Sequence, residues 1–243
     1  MTVFRGGHAI YGHAIGILML DARFARVPGD IGNATTYPFP VLYHIIEGVL
    51  PRRVVDGDPS LLELFVEGAR DLEKCGVIFI TTGCGFLATF QKQLASAVRV
   101  PVFTSSLLQV PLVSNMLGAG RRVGILTADA SCLTEAHFRG AGWSSADIRI
   151  AVQGMEDYPC FTETILGSRE DLDFEAVGAE VTAAAQRLVA DCPDVGAIVF
   201  ECTNLPPYSK LVQDATGLPV FDINTLIDMA YRACTQPLYQ GQM

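Results

Sequence analysis

The sequence predicts an α/β protein of two pseudo-symmetric lobes, each a parallel sheet flanked by helices, with the active site in the cleft between them. Two observations predict this fold. Short apolar runs alternate with stretches of helical periodicity, and the second half of the chain repeats the pattern of the first. Apolar strands that alternate with helices are typical of parallel sheets covered on both faces.

Eight apolar runs, rich in β-branched residues, are predicted as strands. They are IGILML (15–20), VLYHII (41–46), VIFIT (77–81), PVFT (101–104), VGILT (123–127), IRIAV (148–152), AIVF (197–200) and PVFD (219–222). Between them, apolar residues recur with helical spacing over 61–72, 86–98 and 177–189. Pro111 indicates that the helix after Ser106 begins or kinks near that position.

The repeat extends over several elements. IGIL at 15–18 matches VGIL at 123–126, and GVIFITTGC at 76–84 matches GAIVFEC at 196–202. The motif Pro-Val-Phe begins 17 residues after Cys84 and again 17 residues after Cys202. We infer two copies of one α/β unit. One lobe is predicted over 1–104 with the C-terminal segment 219–243, and the other over 105–218.

Composition excludes several classes of protein. The 243 residues carry a net charge of −9, which argues against a nucleic-acid surface, and half of them are hydrophobic, which argues against disorder. No apolar stretch approaches the length of a membrane span, and the N-terminus lacks a signal-peptide pattern, so we expect a cytoplasmic protein that does not enter the membrane. The seven cysteines are then expected as thiols. Without a C-x-x-C pair or a nearby His, no metal site is predicted.

Cys84 and Cys202 are the predicted catalytic residues. Each follows the end of a strand, where parallel sheets bind ligands, and each is expected at a helix N-terminus, which lowers the pKa of a thiol. If the lobes face each other, the two sulfur atoms lie on opposite walls of the cleft. One thiolate then removes a proton from a carbon beside a carbonyl, and the opposite thiol returns one to the other face.

Polar residues near these cysteines are predicted to bind the substrate, although helix or loop capping explains most of them equally well. They are Asp21, Thr82, Gly85, Ser105, Thr203 and Asn204. The loop 27–41, rich in Gly, Pro and Thr, is expected to shape the pocket, with Arg26 as a candidate for binding a carboxylate. The other five cysteines are interpreted as structural.

These motifs, from GILMLD (16–21) through TGCG and ECTN to the last strand, resemble the aspartate/glutamate racemase superfamily. That superfamily also includes hydantoin racemases, arylmalonate decarboxylases and maleate isomerases. The resemblance implies two cysteines across a cleft, no pyridoxal phosphate or other cofactor, and a homodimer or higher oligomer. It assigns the catalytic roles to Cys84 and Cys202.

The resemblance therefore predicts an isomerase, a cofactor-independent racemase or epimerase of an amino acid or another small carboxylate or hydantoin-like substrate. Two departures argue against glutamate itself. Gly85 stands where amino-acid racemases commonly have Asn, and no His follows Cys202. Because both cysteines are present, the pattern differs from that of arylmalonate decarboxylases.

Three alternatives stay open. A lyase, decarboxylase or cis-trans isomerase on the same scaffold needs only one reactive thiol, or a Cys that adds to a double bond. A thiol hydrolase or transferase needs a His beside its nucleophile, and none is near either Cys in the sequence. A binding protein with a two-lobed cleft would bind a ligand without turnover. Glu201 is expected to raise the pKa of Cys202, which makes Cys84 the candidate thiolate.

Overall fold

A computed structural model describes residues 3–4 and 6–242 of the chain. The strands are β1 (Ile15–Leu20), β2 (Val41–Ile46), β3 (Phe79–Thr82), β4 (Val102–Phe103), β5 (Arg122–Thr127), β6 (Ile150–Gly154), β7 (Val195–Phe200) and β8 (Val220–Phe221). The helices are α1 (Pro51–Val55), α2 (Leu62–Lys74), α3 (Gln91–Ala97), α4 (Val110–Met116), α5 (Glu135–Gly140), α6 (Pro159–Phe161), α7 (Phe174–Asp191), α8 (Ser209–Thr216) and α9 (Ile223–Cys234). A 3-10 helix (Gly85–Phe90) precedes α3, and a π-helix (Thr162–Leu166) follows α6.

The strands form two parallel four-stranded sheets with the same topology. Their orders are β2-β1-β3-β4 and β6-β5-β7-β8. The predicted fold class is therefore confirmed, and each predicted strand lies within two residues of its observed ends. Helix α4 carries Pro111 in its first turn, where the missing N–H of proline costs no helical hydrogen bond.

The glycines of the repeated IGIL and VGIL motifs have the same packing role in both lobes. An added Cβ at Gly16 would lie 2.9 Å from Cδ1 of Leu72 on α2, and one at Gly124 would lie 2.8 Å from Cδ2 of Leu188 on α7. Such separations are far below a normal carbon–carbon contact of about 3.5–4.0 Å. Glycine therefore lets the central strand of each sheet approach the long helix that covers it.

The predicted lobe boundary is wrong for the segment 219–222. Strand β8 pairs with β7 through Ile198↔Val220 and Val199↔Phe221, and Ile198 N donates to the Pro219 carbonyl at 2.9 Å. This pairing places β8 in the second sheet, as β4 lies beside β3 in the first. The repeated Pro-Val-Phe motif thus marks the last strand of each lobe.

The helix that follows each of these last strands packs on the opposite lobe. Helix α4 contacts β5 of the second sheet. Helix α9 buries Ile223 and Ile227 in a cluster with Ile17 and Phe79 of the first sheet. The two lobes therefore exchange their C-terminal helices, and this exchange holds the strand ends of both sheets around one cleft.

Across residues 3–4 and 6–242, no helix has both the length and the hydropathy that a membrane crossing requires.

Candidate active site

The cleft brings the two predicted catalytic cysteines to one cavity. Cys84 follows β3 and is the N-cap residue of the 3-10 helix, while Cys202 follows β7 by two residues. The lobes are joined here by a hydrogen bond, because Thr203 Oγ1 donates to the Gly83 carbonyl at 2.7 Å. Ser106 Oγ, in the segment that follows β4, donates to the Phe200 carbonyl at the end of β7. The ends of β3 and β7 are thus fixed next to each other.

The space among the lining residues amounts to about 390 Å³, a figure that includes open solvent. Its apolar lining comes from both lobes and consists of Leu20, Ala22, Phe24, Pro51, Val55, Phe86, Ala128, Ile165 and Leu166. The other lining residues are Arg26, Gly83, Cys84, Gly85, Glu201, Cys202, Thr203 and Asn204.

Cys84 lies at the first turn of the 3-10 helix, where Leu87 N donates to the Cys84 carbonyl at 3.2 Å. The backbone N–H groups of Phe86 and Leu87 near the sulfur lower the pKa of the thiol. Burial and then the Glu201 carboxylate act in the opposite direction and raise this pKa to about 12. The prediction of a lowered pKa is therefore wrong in sign, because loss of solvent outweighs the helix N-terminus.

Cys202 has a different environment. Helix α8 begins only at Ser209, so Cys202 is not at a helix N-terminus as predicted. The backbone N–H of Asn204 acts on this thiol by lowering its pKa. Burial, followed by the Glu201 carboxylate, raises the pKa of Cys202 well above its ordinary value. The expected effect of Glu201 on this thiol is confirmed in direction.

Glu201 is the residue that sequence reasoning missed as part of the site itself. Its side chain is fully buried among the cavity residues, and burial raises the pKa of its carboxyl to about 8. Thr127 Oγ1 donates to Oε2 at 2.8 Å, while Oε1 has no hydrogen-bond partner among the described residues. In the sequence, the only indication that Glu201 belongs to the site was its position directly before Cys202.

Within residues 3–4 and 6–242, Arg26 is the one cationic side chain that lines the cavity. Its guanidinium carbon lies 4.1 Å from the centre of the Phe24 ring, and its Nη1 donates to Oδ1 of the buried Asp30 at 3.0 Å. Asp30 Oδ2 accepts from Asn204 Nδ2 at 2.8 Å, and Asn204 Oδ1 lies 3.8 Å from the Cys202 sulfur. One carboxylate thus fixes both Arg26 and Asn204.

Three of the predicted substrate-binding residues lie outside the cavity lining. Asp21 forms a salt bridge with Arg23 and accepts from Gly48 N. Thr82 Oγ1 donates to the Thr104 carbonyl at 2.7 Å. Ser105 caps the next helical turn by accepting from Leu107 N. These groups serve loop and helix capping, so we withdraw their predicted contact with substrate.

Gly85, Thr203 and Asn204 do line the cavity. The loop 27–41 contributes no lining residue and acts only through Asp30 behind Arg26 and Asn204. The π-helix, which was not predicted, contributes Ile165 and Leu166.

The sequence matches none of the protein-family models, but it is similar to curated proteins. It is 31% identical over 228 residues to "Dimethylsulfoniopropionate lyase" of Durusdinium sp. clade D, which covers 90% of this chain and 74% of that protein. The chain belongs to the dimethylsulfoniopropionate lyase family.

Two further members of this lyase family come from Emiliania huxleyi (strain CCMP1516). "Dimethylsulfoniopropionate lyase 3" is 32% identical, with 86% of this chain and 56% of that protein covered. "Dimethylsulfoniopropionate lyase 7" is 31% identical, with 87% and 64% covered. The chain thus spans roughly three fifths of the length of these two relatives.

Solved structures show the fold of this lyase-family chain. An unliganded arylmalonate decarboxylase has a TM-score of 0.58 at 18% identity, with 95% of each chain covered. A glutamate racemase from Bacillus anthracis has a TM-score of 0.57 at 12% identity, with 90% of this chain and 80% of that one covered. The predicted aspartate/glutamate racemase superfamily fold is therefore confirmed.

The predicted activity is corrected by the same comparisons. The curated relatives are lyases, so the assignment as an isomerase, and with it the racemase or epimerase reaction by two bases, is wrong. The alternative of a lyase or decarboxylase on this scaffold fits them better. The physical reason for the error is that racemases and lyases begin with the same removal of a proton from carbon.

Proposed function

We propose that this protein is a lyase that eliminates dimethyl sulfide from dimethylsulfoniopropionate and leaves acrylate. The observation that carries the proposal is the position of Cys84, which lines the cavity at the first turn of a 3-10 helix with the N–H groups of Phe86 and Leu87 near its sulfur. Such donors stabilise a thiolate, and a thiolate is a competent base toward a carbon acid. Family membership supports the choice of substrate.

The elimination needs one base. The Cys84 thiolate takes the proton from the carbon next to the carboxylate, and the electrons of that C–H bond form the double bond. The bond from the neighbouring carbon to the sulfonium sulfur breaks, and its electron pair leaves with dimethyl sulfide. The sum is one acrylate, one dimethyl sulfide and one proton for each substrate.

Cys84 is a better base candidate than Cys202. The backbone N–H groups of Phe86 and Leu87 and the charge of Arg26 favour its thiolate, against burial and the charge of Glu201. Burial and Glu201 oppose the Cys202 thiolate too, Asp30 adds to them, and only the Asn204 N–H favours it. In this proposal Cys202 stays a thiol and borders the substrate as a hydrogen-bond donor.

The two ends of the substrate match different parts of the cavity. Arg26 is suited to the carboxylate, because a guanidinium donates several N–H groups to such an anion. The sulfonium methyl groups suit the apolar lining and the Phe24 and Phe86 rings, since an aromatic face attracts a cation. Binding the carboxylate through Arg26 also makes the adjacent proton easier to remove, because it reduces the negative charge that develops there.

The test is to incubate the purified protein with dimethylsulfoniopropionate and measure dimethyl sulfide and acrylate by gas and liquid chromatography. We expect the two products in equal amounts, and a loss of at least about 1,000-fold in kcat for Cys84→Ser, since a serine hydroxyl is a far weaker acid than a thiol. Cys202→Ser is expected to lose less, because serine keeps a donor. Cys234→Ser is the matched control, since Cys234 is exposed and is not among the cavity-lining residues. Absence of dimethyl sulfide from the folded wild type, or full activity of Cys84→Ser, would contradict the proposal.

A further inference from the structure

The side-chain amide of Asn204 lies between a carboxylate and a thiol. Its Nδ2 donates to Oδ2 of Asp30 at 2.8 Å, and its Oδ1 accepts from the sulfur of Cys202 at 3.8 Å. The turn that carries it is closed by Leu205 N, which donates to the Cys202 carbonyl at 3.3 Å. Both polar atoms of this amide therefore have partners inside the protein.

The carboxylate of Asp30 allows the amide only one orientation. Asp30 is 2% exposed, and its Oδ1 accepts from Arg26 Nη1 at 3.0 Å and from Gly32 N at 2.7 Å. A carboxylate paired with an arginine is an acceptor at both of its oxygens. A reversed Asn204 amide would place its carbonyl oxygen against Oδ2, so that two acceptors would meet away from water. The carbonyl oxygen of Asn204 is therefore fixed on the side of Cys202.

A carbonyl oxygen beside the sulfur favours the thiol form of Cys202. A thiol donates its S–H group to such an oxygen, whereas a thiolate has no proton to donate and is repelled by it. Burial, and then the charges of Glu201, Cys84 and Asp30, also raise the pKa of Cys202, and the backbone N–H of Asn204 acts against them.

We propose that Asn204 is a positioning residue that holds the proton of Cys202 and so makes Cys84 the base of the elimination. The inference rests on the proposed function, in which Cys84 removes the substrate proton. The S–H bond of Cys202 stays intact throughout, and rotation about its Cβ–Sγ bond is enough to turn the proton from Asn204 to a bound substrate.

Asp30→Asn is the variant that tests this orientation, because it should turn the Asn204 amide over. The new amide keeps its oxygen where Arg26 Nη1 and Gly32 N donate, so its NH2 group takes the place of Oδ2. Two NH2 groups do not bond to each other, so the Asn204 amide turns its oxygen to the new donor and its Nδ2 to Cys202. A donor then replaces the acceptor beside the sulfur, which favours the thiolate.

The first measurement is the rate at which iodoacetamide alkylates the two cysteines, followed by peptide mass spectrometry. The ratio of the Cys202 rate to the Cys84 rate should rise by about 3- to 10-fold in Asp30→Asn, since the thiolate is the reactive form. Cys84 is the internal control, because general loosening of the site would expose both thiols. A ratio that stays the same or falls overturns the proposal.

A double-mutant cycle separates the amide from the charge. Loss of the Asp30 charge favours the Cys202 thiolate by itself, whether or not the amide turns. Asn204→Leu has a similar shape and no polar atom, so in that background Asp30→Asn should raise the ratio several-fold less. An equal rise in both backgrounds would mean that Asn204 does not transmit the effect.

The second measurement detects the hydrogen bond itself. The S–H stretching band of Cys202 is identified from the infrared difference between the wild type and Cys202→Ser. It should lie at lower frequency in the wild type than in Asn204→Leu, because donation to Oδ1 weakens the S–H bond. Asn115→Leu is the matched control, since Asn115 is exposed on α4 and bonds to the Pro111 carbonyl.

A band that does not move in Asn204→Leu overturns the role of Asn204. If Asn204→Leu fails to fold, Asp30→Asn gives the same test, because the thiol loses its acceptor there as well. Neither the alkylation nor the infrared measurement needs turnover, so wild-type protein that releases no dimethyl sulfide would refute the proposed function instead.

Discussion

Asn204 donates from Nδ2 to Oδ2 of Asp30 at 2.8 Å, which ties the turn after Cys202 to the loop after β1. Asp30 is 2% exposed and also accepts from Arg26. Two polar residues of the cavity, one from each lobe, therefore have their positions set by one carboxylate that lies behind them.

Asp30→Asn should loosen both residues, because an amide accepts fewer hydrogen bonds and leaves the Arg26 charge without its partner. We expect the free energy of unfolding to fall by about 2 to 3 kcal/mol, measured by urea titration, together with a higher KM. Asp71→Asn is the control, since Asp71 pairs with Lys74 at the surface and should leave both quantities unchanged. A variant with native stability and KM would show that the Asp30 contacts are not needed.

Arg26→Met keeps most of the packing on Phe24 but removes the cation of the cavity lining, the only one there among the residues that the structure describes. We expect KM for dimethylsulfoniopropionate to rise by about 10- to 100-fold, the effect of losing a charged hydrogen bond of about 1.5–3 kcal/mol. Initial rates over a range of substrate concentration measure this. An unchanged KM would place the substrate carboxylate elsewhere.

Gly85→Ala should destabilise the interface between the lobes, because its Cβ would collide with Glu201. Overpacking of this kind typically costs about 1–3 kcal/mol, and disturbance of the cavity lining at Gly85 should reduce kcat as well. Gly118→Ala is the matched control, since an added Cβ there meets no atom within 4 Å. Thermal unfolding and kcat of the two variants give the comparison, and equal values would contradict the close packing at Gly85.

Glu201 should also make stability depend on pH. Burial raises the pKa of its carboxyl from about 4.5 to about 8, so between these values the folded state binds more protons than the unfolded state. The contribution of Glu201 to the free energy of unfolding is therefore fully present below pH 4.5 and is lost as the pH rises through 8. The whole change is at most about 5 kcal/mol.

The comparison with Glu201→Gln isolates that effect. His137 contributes with the opposite sign, because burial lowers its pKa, but it is present in both proteins. Urea titrations from pH 5 to pH 9 should show the wild type losing stability relative to Glu201→Gln as the pH rises. Parallel curves would mean that Glu201 ionises normally in the folded protein.

The repeat made the architecture predictable. Two matching Gly-x-Leu strands and two cysteines at equal distance from Pro-Val-Phe specify two equivalent units, and the cysteines then fall at equivalent strand ends. Local pattern does not decide which sheet a two-residue strand joins, and this is why β8 was misplaced.

The chemistry was less predictable because burial is not a local property. Glu201 is buried by Thr127, 74 residues earlier in the chain, and by Gly85 of the other lobe. The same burial reversed the expected direction of the thiol pKa values. Whether removal of a proton ends in racemisation or elimination depends on the leaving group of the substrate, which no residue of the sequence specifies.

The exchange of α4 and α9 has a mechanical consequence. Residues 1–104 alone would lack the helix that buries Ile223 and Ile227 against Phe79, and the second lobe alone would lack α4 on β5. Neither half is then a complete folding unit, and both should denature in a single cooperative transition. The width of the cleft is set by the same shared core, so opening it by rotating the lobes would strain the interior of each.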